Sequence, residues 1–215
     1  MLNKLEQAVI RALDAGQWCA ADSPQKELLL TNLLQSANET AGMHLRLSFS
    51  MPEGYESAYG LSDPATGTIF VNRALWPSCA PLDPLYYFLH ELRHGIQTAL
   101  PELFSADFAL NRRYVIQFDG TGFRMDGKKV ITVHLTGDQA YFTELYLASP
   151  CELDANAFAW RCLKAAGAPA ELEALRAMWS PRFCFFPEEK ADEEFRKAAH
   201  EIERLASAQE QEMTR

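Results

Sequence analysis

Between Asp83 and Ala99 the chain reads DPLYYFLHELRHGIQTA. Leu85, Leu89, Leu92 and Ile96 recur at the 3.6-residue period of an α-helix, and Pro101 closes the segment. The apolar stripe is expected to face a core. His90 and His94 fall on the other side, one turn apart, with Glu91 between them in the pattern H-E-x-x-H.

Residues four apart on a helix lie one above the other, with side-chain origins about 6 Å apart, so both imidazoles project to the same side. Two ring nitrogens so placed can bind one zinc ion at about 2.0–2.1 Å. Glu91 lies about 100° round the helix, too far to ligate well but placed to reach a water on the metal. Zinc brings the pKa of such a water toward about 7, and a glutamate can take its proton as the oxygen attacks a carbonyl. The bland reading is a pair of helical histidines making ordinary hydrogen bonds.

A catalytic zinc takes a third protein ligand and keeps a fourth position open. The best source is Ser149-Pro150-Cys151-Glu152-Leu153-Asp154-Ala155-Asn156-Ala157-Phe158-Ala159, a helix start with two acids followed by small residues. Glu152 and Asp154 are about 200° apart on a helix, so only one can face the metal. Glu152 also fits a capping box with Ser149, and Asp154 fits a first-turn acid favoured by the helix dipole. Glu152 is the expected ligand, because it reaches further and Asn156, one turn on, can orient a histidine's second nitrogen. Asp154 is the alternative.

The rest of the chain supplies the setting. Helical spacing covers 3–15 and, after Ser23 as N-cap and Pro24, about 23–40. Leu45–Phe49 and Thr68–Asn72 read as strands. An edge strand at Thr68–Asn72 could pair with an extended substrate, or it pairs only within its own sheet. Residues 113–136 alternate through Asp119-Gly120 and Asp126-Gly127 turns as a small meander. Helices are expected again at about 138–147, 150–166, 169–178 and 187–208, the last with Phe195, Ala199, Ile202 and Leu205 on one face. The expected architecture is a single α+β domain over 1–215. It is mainly helical, with a small sheet, a β-rich insert near 113–136, and helical N- and C-terminal extensions packed on the core.

Composition narrows the function classes. The 215 residues are 48% hydrophobic and 23% charged, as in an ordinary globular protein. A net charge of -9 argues against a nucleic-acid partner, since basic pairs such as Arg112-Arg113 and Lys128-Lys129 stand beside acidic residues and make no patch. No run approaches a membrane span, and the N-terminus lacks the order of a secretory signal. Five scattered cysteines, without a Cys-x-x-Cys pair, suggest reduced thiols in a cytoplasmic protein.

Three segments together, His90-Glu91-x-x-His94, Glu152-x-Asp154-Ala155-Asn156-x-Phe158-Ala159 and Thr66-Gly67-Thr68-Ile69-Phe70-Val71-Asn72, resemble the ImmA/IrrE family of zinc metallopeptidases, over roughly residues 45–165. The resemblance implies a gluzincin-like, zincin-type fold, two histidines and one glutamate on Zn2+, and a cytoplasmic bacterial or phage protein that cuts a protein partner. Arg93 stands where the family usually has a small residue, and about 57 residues separate His94 from Glu152.

The expected activity is hydrolysis of peptide bonds in a protein or peptide, as an endopeptidase. The expected roles are His90, His94 and Glu152 as ligands and Glu91 as base. The rival reading is a non-catalytic zinc-binding regulatory or partner-binding domain. His134, Tyr141 and Tyr146, between the two metal helices in sequence, are candidate donors to a developing oxyanion. The plainer expectation for His134 is an exposed strand residue, for either tyrosine a core position, and for Cys151 a small buried hydrophobe.

Overall fold

The computed structural model describes residues 1–127, 129–167 and 171–213; Lys128, residues 168–170, which include the first two of the helix expected at 169–178, and the last two residues lie outside them. The chain is α+β, mainly helical, with two three-stranded sheets. Internal contacts gather it into two compact units, Met1–Leu103 with Asp154–Met178, and Phe104–Leu153 with Trp179–Arg215. Among the described residues no helix is long and apolar enough to cross a membrane.

The first unit opens with α1 (Leu2–Ala12), α2 (Ala15–Ala20) and α3 (Ser23–Ala41). The cap of α3 is Asp22, one residue before the expected Ser23. Its carboxylate accepts the Gln25 N–H at 2.9 Å while the Gln25 side-chain oxygen accepts the Asp22 N–H at 3.0 Å. That reciprocal box needs an amide or acid three residues after the cap, which Gln25 provides for Asp22.

The first sheet holds β1 (Arg46–Ser48), β2 (Gly60–Asp63) and β3 (Thr68–Val71) in the order β1-β3-β2. β1 runs parallel to β3, and β2 antiparallel to it. The expected strand at Thr68–Asn72 is therefore the central one, paired on both sides, and cannot serve as an edge. The edge next to the H-E-x-x-H segment is β2, which the sequence reading missed. Its residues, Gly60-Leu61-Ser62-Asp63, have weak strand propensity and depend on pairing with β3.

α4 (Asp83–Ala99) matches its expected bounds. Leu85, Leu89, Leu92 and Ile96 are all fully buried. Burial stabilises by about 1.5–3 kcal/mol for each such side chain, so this stripe is the main hold on the helix. Gly95 allows the close approach to the sheet, because a Cβ there would lie 2.8 Å from Leu45 Cδ1 and 3.5 Å from Ile69 Cδ1. Just before α4, the Pro81 carbonyl accepts the Trp18 indole N–H at 2.7 Å. The expected two-faced helix is in fact buried on most sides: His90, Arg93 and Gln97 on its polar side are buried as well. The body of α7 (Pro150–Ala165) and α8 (Glu171–Met178) complete this unit.

The second unit contains α5 (Ala106–Arg113), β4 (Tyr114–Ile116), β5 (Thr121–Asp126), β6 (Lys129–His134), α6 (Gln139–Leu147) and α9 (Ala191–Met213). The strands form the antiparallel meander β4-β5-β6 expected near 113–136, but the chain first makes α5, whose weak apolar periodicity gave no signal. α9 starts at Ala191 after a single 3₁₀ turn at Glu188–Lys190. Phe195, Ala199 and Ile202 lie in one apolar core with Tyr114, Ile116, Val133 and Phe142, and Leu205 packs against it half-buried.

A charged seam runs beside that core. Arg124, buried on β5, donates to Glu203 at 3.1 Å and to Glu210 on α9. Its Nε also lies 2.9 Å from Asp126, an electrostatic contact without hydrogen-bond alignment. Tyr114 donates to Glu203 at 2.6 Å. The Tyr114 hydrogen bond lowers the pKa of Glu203 first, and hydrogen bonds from Lys129 and Arg124 lower that of Glu210, both from an ordinary value of 4.5. A carboxylate with a depressed folded pKa stabilises the fold above the unfolded value and loses that contribution as pH falls through the folded one. Urea midpoints of the wild type are therefore expected to fall on acidification from about pH 5 to about pH 3. The double variant Glu203→Gln, Glu210→Gln should be less stable at neutral pH and should show a flatter decline over the same interval.

Candidate metal centre

The site grows from α4 and the first turns of α7. His90 and His94 turn their rings toward each other, with Nε2 to Nε2 at 2.9 Å. One carboxylate oxygen of Glu152 completes a group of three ligand atoms that all lie within 4.8 Å of one another. His90 is buried, and His94 and Glu152 are half-buried. At the start of α7, the Asn111 side-chain oxygen accepts the Cys151 N–H at 2.9 Å, satisfying one of the helix's orphan donors next to Glu152.

Each histidine has its other ring nitrogen engaged. His90 Nδ1 lies 2.8 Å from Asn156 Oδ1, which also accepts the Tyr86 hydroxyl at 2.9 Å. His94 Nδ1 lies 2.9 Å from Gln97 Oε1. Asn156 thus takes the orienting position expected of it. Gln97 was not foreseen, although its place three residues after His94 could have suggested it.

The two acids of α7 divide. Glu152 joins the histidines, whereas Asp154 faces Arg93, which donates from Nε at 2.6 Å and from Nη2 at 2.9 Å. Asp154 also accepts from Gln97 at 2.9 Å. Three donors on one carboxylate leave it badly placed to ligate a metal, and the Arg93 cation beside it would repel one. Arg93 packs against the Phe158 ring at 5.1 Å.

Glu91, half-buried, lies against the start of β2. A Cβ on Gly60 would sit 2.8 Å from Glu91 Cγ and 3.2 Å from its Oε1. Asn72, just past β3, holds the segment leading into β2. It donates to the Glu56 and Ala58 carbonyls at 2.8 Å each, and its own N–H reaches Tyr59 at 2.9 Å. Tyr59 stacks on Tyr87 of α4 at 4.6 Å.

The other candidates have different partners. Tyr141 donates its hydroxyl to Glu194 at 3.0 Å. Burial first, then that bond, pushes its pKa up to about 12. Its hydroxyl is thus engaged with a local partner in the second unit. His134 is exposed on β6, with Nδ1 3.4 Å from the Thr121 hydroxyl, so the plain strand reading holds. Tyr146 packs edge-on against Phe118 at 4.4 Å. Cys151 is buried, as expected of a small hydrophobe. Cys162, further along α7, is buried too, and burial pushes its thiol up to about 12, so it offers no thiolate.

No family model, curated protein or solved structure matches the chain.

Gly60 is a test of how tightly Glu91 is placed. Gly60→Ala is expected to rotate the Glu91 side chain away while α4 and the two histidines stay put, and a crystal structure of the variant checks this. An unmoved Glu91 would show that the contact is slack.

Proposed function

We propose that this chain is a zinc-dependent peptidase of zincin type, of the ImmA/IrrE kind, with His90, His94 and Glu152 as ligands and Glu91 as general base. The observation that carries the reading is the pair of histidine Nε2 atoms at 2.9 Å, each ring backed at Nδ1 by an amide oxygen. With hydrogens on Nδ1, both Nε2 atoms present lone pairs to each other. Two facing lone pairs repel, and a shared cation relieves that repulsion. Two imidazoles and one carboxylate are the donor set of a hydrolytic zinc site. A sheet beside the H-E-x-x-H helix, with a second helix supplying an acid, also supports the zincin reading.

When bound there, zinc would supply a Lewis acid and make a water acidic enough to give up its proton near neutral pH. The chain's residues do the rest. Glu91 accepts the proton from the attacking water and returns it to the departing amine nitrogen. Asn156 and Gln97 keep both imidazoles turned inward. β2, as the outer strand beside Glu91, offers its backbone to an extended peptide, which would pair as an added strand. Similar ligands accept several first-row ions, so the identity of the metal is tested with its presence.

Metal analysis of purified protein is expected to give one zinc per chain, lost in His94→Ala and in Glu152→Ala. Glu91→Gln should retain the zinc and lose hydrolysis of unfolded casein by about 10²-fold or more, the scale of general-base catalysis. Absence of metal from the wild type, even after titration, would remove the reading. One zinc with no cleavage by the wild type would leave the rival, a zinc-binding regulatory or partner-binding domain.

A further inference from the structure

Arg93 departs from what the resembled family leads one to expect, and it is buried, which makes its role a question of physics. A buried guanidinium needs a partner, and Asp154 meets it with two parallel bonds at 2.6 and 2.9 Å. The same carboxylate oxygen that takes Arg93 Nε also takes Gln97 Nε2, at 2.9 Å. Gln97 is buried with only 1% of its surface exposed, so its amide has little room to turn.

We infer that Arg93, Asp154 and Gln97 form a positioning chain that sets the tautomer of His94 and so makes its Nε2 a metal ligand. Both oxygens of Asp154 already accept from the Arg93 guanidinium, which has only donors, so they present acceptors to Gln97. The NH₂ end of the Gln97 amide must therefore point at Asp154, which turns Oε1 toward His94 Nδ1 at 2.9 Å. An amide oxygen also only accepts, so Nδ1 carries the hydrogen. A neutral imidazole with hydrogen on Nδ1 has its lone pair on Nε2, and that atom faces His90 Nε2.

His90 is set differently. Its acceptor, Asn156, is oriented by the Tyr86 hydroxyl, a group that can donate or accept and so constrains less. The Gln97 amide also keeps the Asp154 charge one residue away from the imidazole. Orientation passes along the chain while the ion pair stays with Arg93. None of these three residues touches the reacting atoms; they are positioning residues, and the inference rests on the metal reading for its consequence.

The test begins without metal. Histidine-labelled ¹⁵N spectra of the metal-free wild type, at about pH 8.5 and so above the ordinary imidazole pKa of about 6.5, report each neutral tautomer. His94 is expected in the Nδ1–H form. In Gln97→Met, which keeps the volume but removes the amide, His94 should shift toward the Nε2–H form while His90 keeps its tautomer, its Nε2 then accepting from His94. Zinc affinity, measured by chelator competition, should fall about 10- to 100-fold, the range for lost orienting partners. A wild-type His94 in the Nε2–H form would overturn the inference with no variant needed. So would a folded Gln97→Met protein with the same tautomer and the same zinc affinity. A wild type that binds no zinc would instead sink the metal reading, while the tautomer of His94 would still decide the positioning chain.

Discussion

The contact between Arg93 and Asp154 holds α4 and α7 in register, and the polar geometry of the candidate centre depends on it. Arg93 pairs with Asp154, while Tyr86 and His90, earlier on α4, meet Asn156, later on α7. The partners run in opposite order along the two helices, so the helices cross antiparallel. A one-residue slip would turn each side chain by about 100° and separate every pair at once. The fork of a guanidinium on a carboxylate is stiffer than a lysine contact and tolerates little such slip.

That geometry leaves α4 with two different buried faces. One is the stripe of Leu85, Leu89, Leu92 and Ile96, held by the hydrophobic effect. The other carries Tyr86, His90, Arg93 and Gln97, spaced so that they lie along one side of the helix. The first face fixes where the helix lies. The second fixes which way its side chains point, and every polar group on it that is described above has a named partner.

Legibility followed the range of the interaction. The bounds of α4 and the pairing of His90 with His94 were readable because they depend on spacing within one helix. The preference for Glu152 over Asp154 was readable from reach and from Asn156 one turn on; what Asp154 does instead was not, because it depends on what α4 presents to α7. Arg93 held the missing signal. An arginine so close to the buried stripe requires an acid partner, and Asp154 then has another task. β2 and α5 were missed for a related reason: both are short, and β2 forms only through pairing with β3. Position between two helices in sequence said nothing of the partner of the Tyr141 hydroxyl, which is Glu194.

The energetics of this polar face bear on what it is for. Exchanging a buried ion pair for apolar residues of similar volume is often neutral or stabilising, by about 1–4 kcal/mol, whereas removing one partner destabilises by about 3–5 kcal/mol. Asp154 keeps about a fifth of its side-chain surface in solvent, at 22%, which puts this pair toward the weaker end. A helix needed only to fill a core would gain little from His90, Arg93 and Gln97 in place of leucine or methionine. These residues restrict the orientation of neighbouring groups, and that restriction has most value where two imidazole nitrogens must converge. Gly60 follows the same logic on the other side of α4. It gives up the strand propensity of a larger residue and leaves the space that Glu91 occupies.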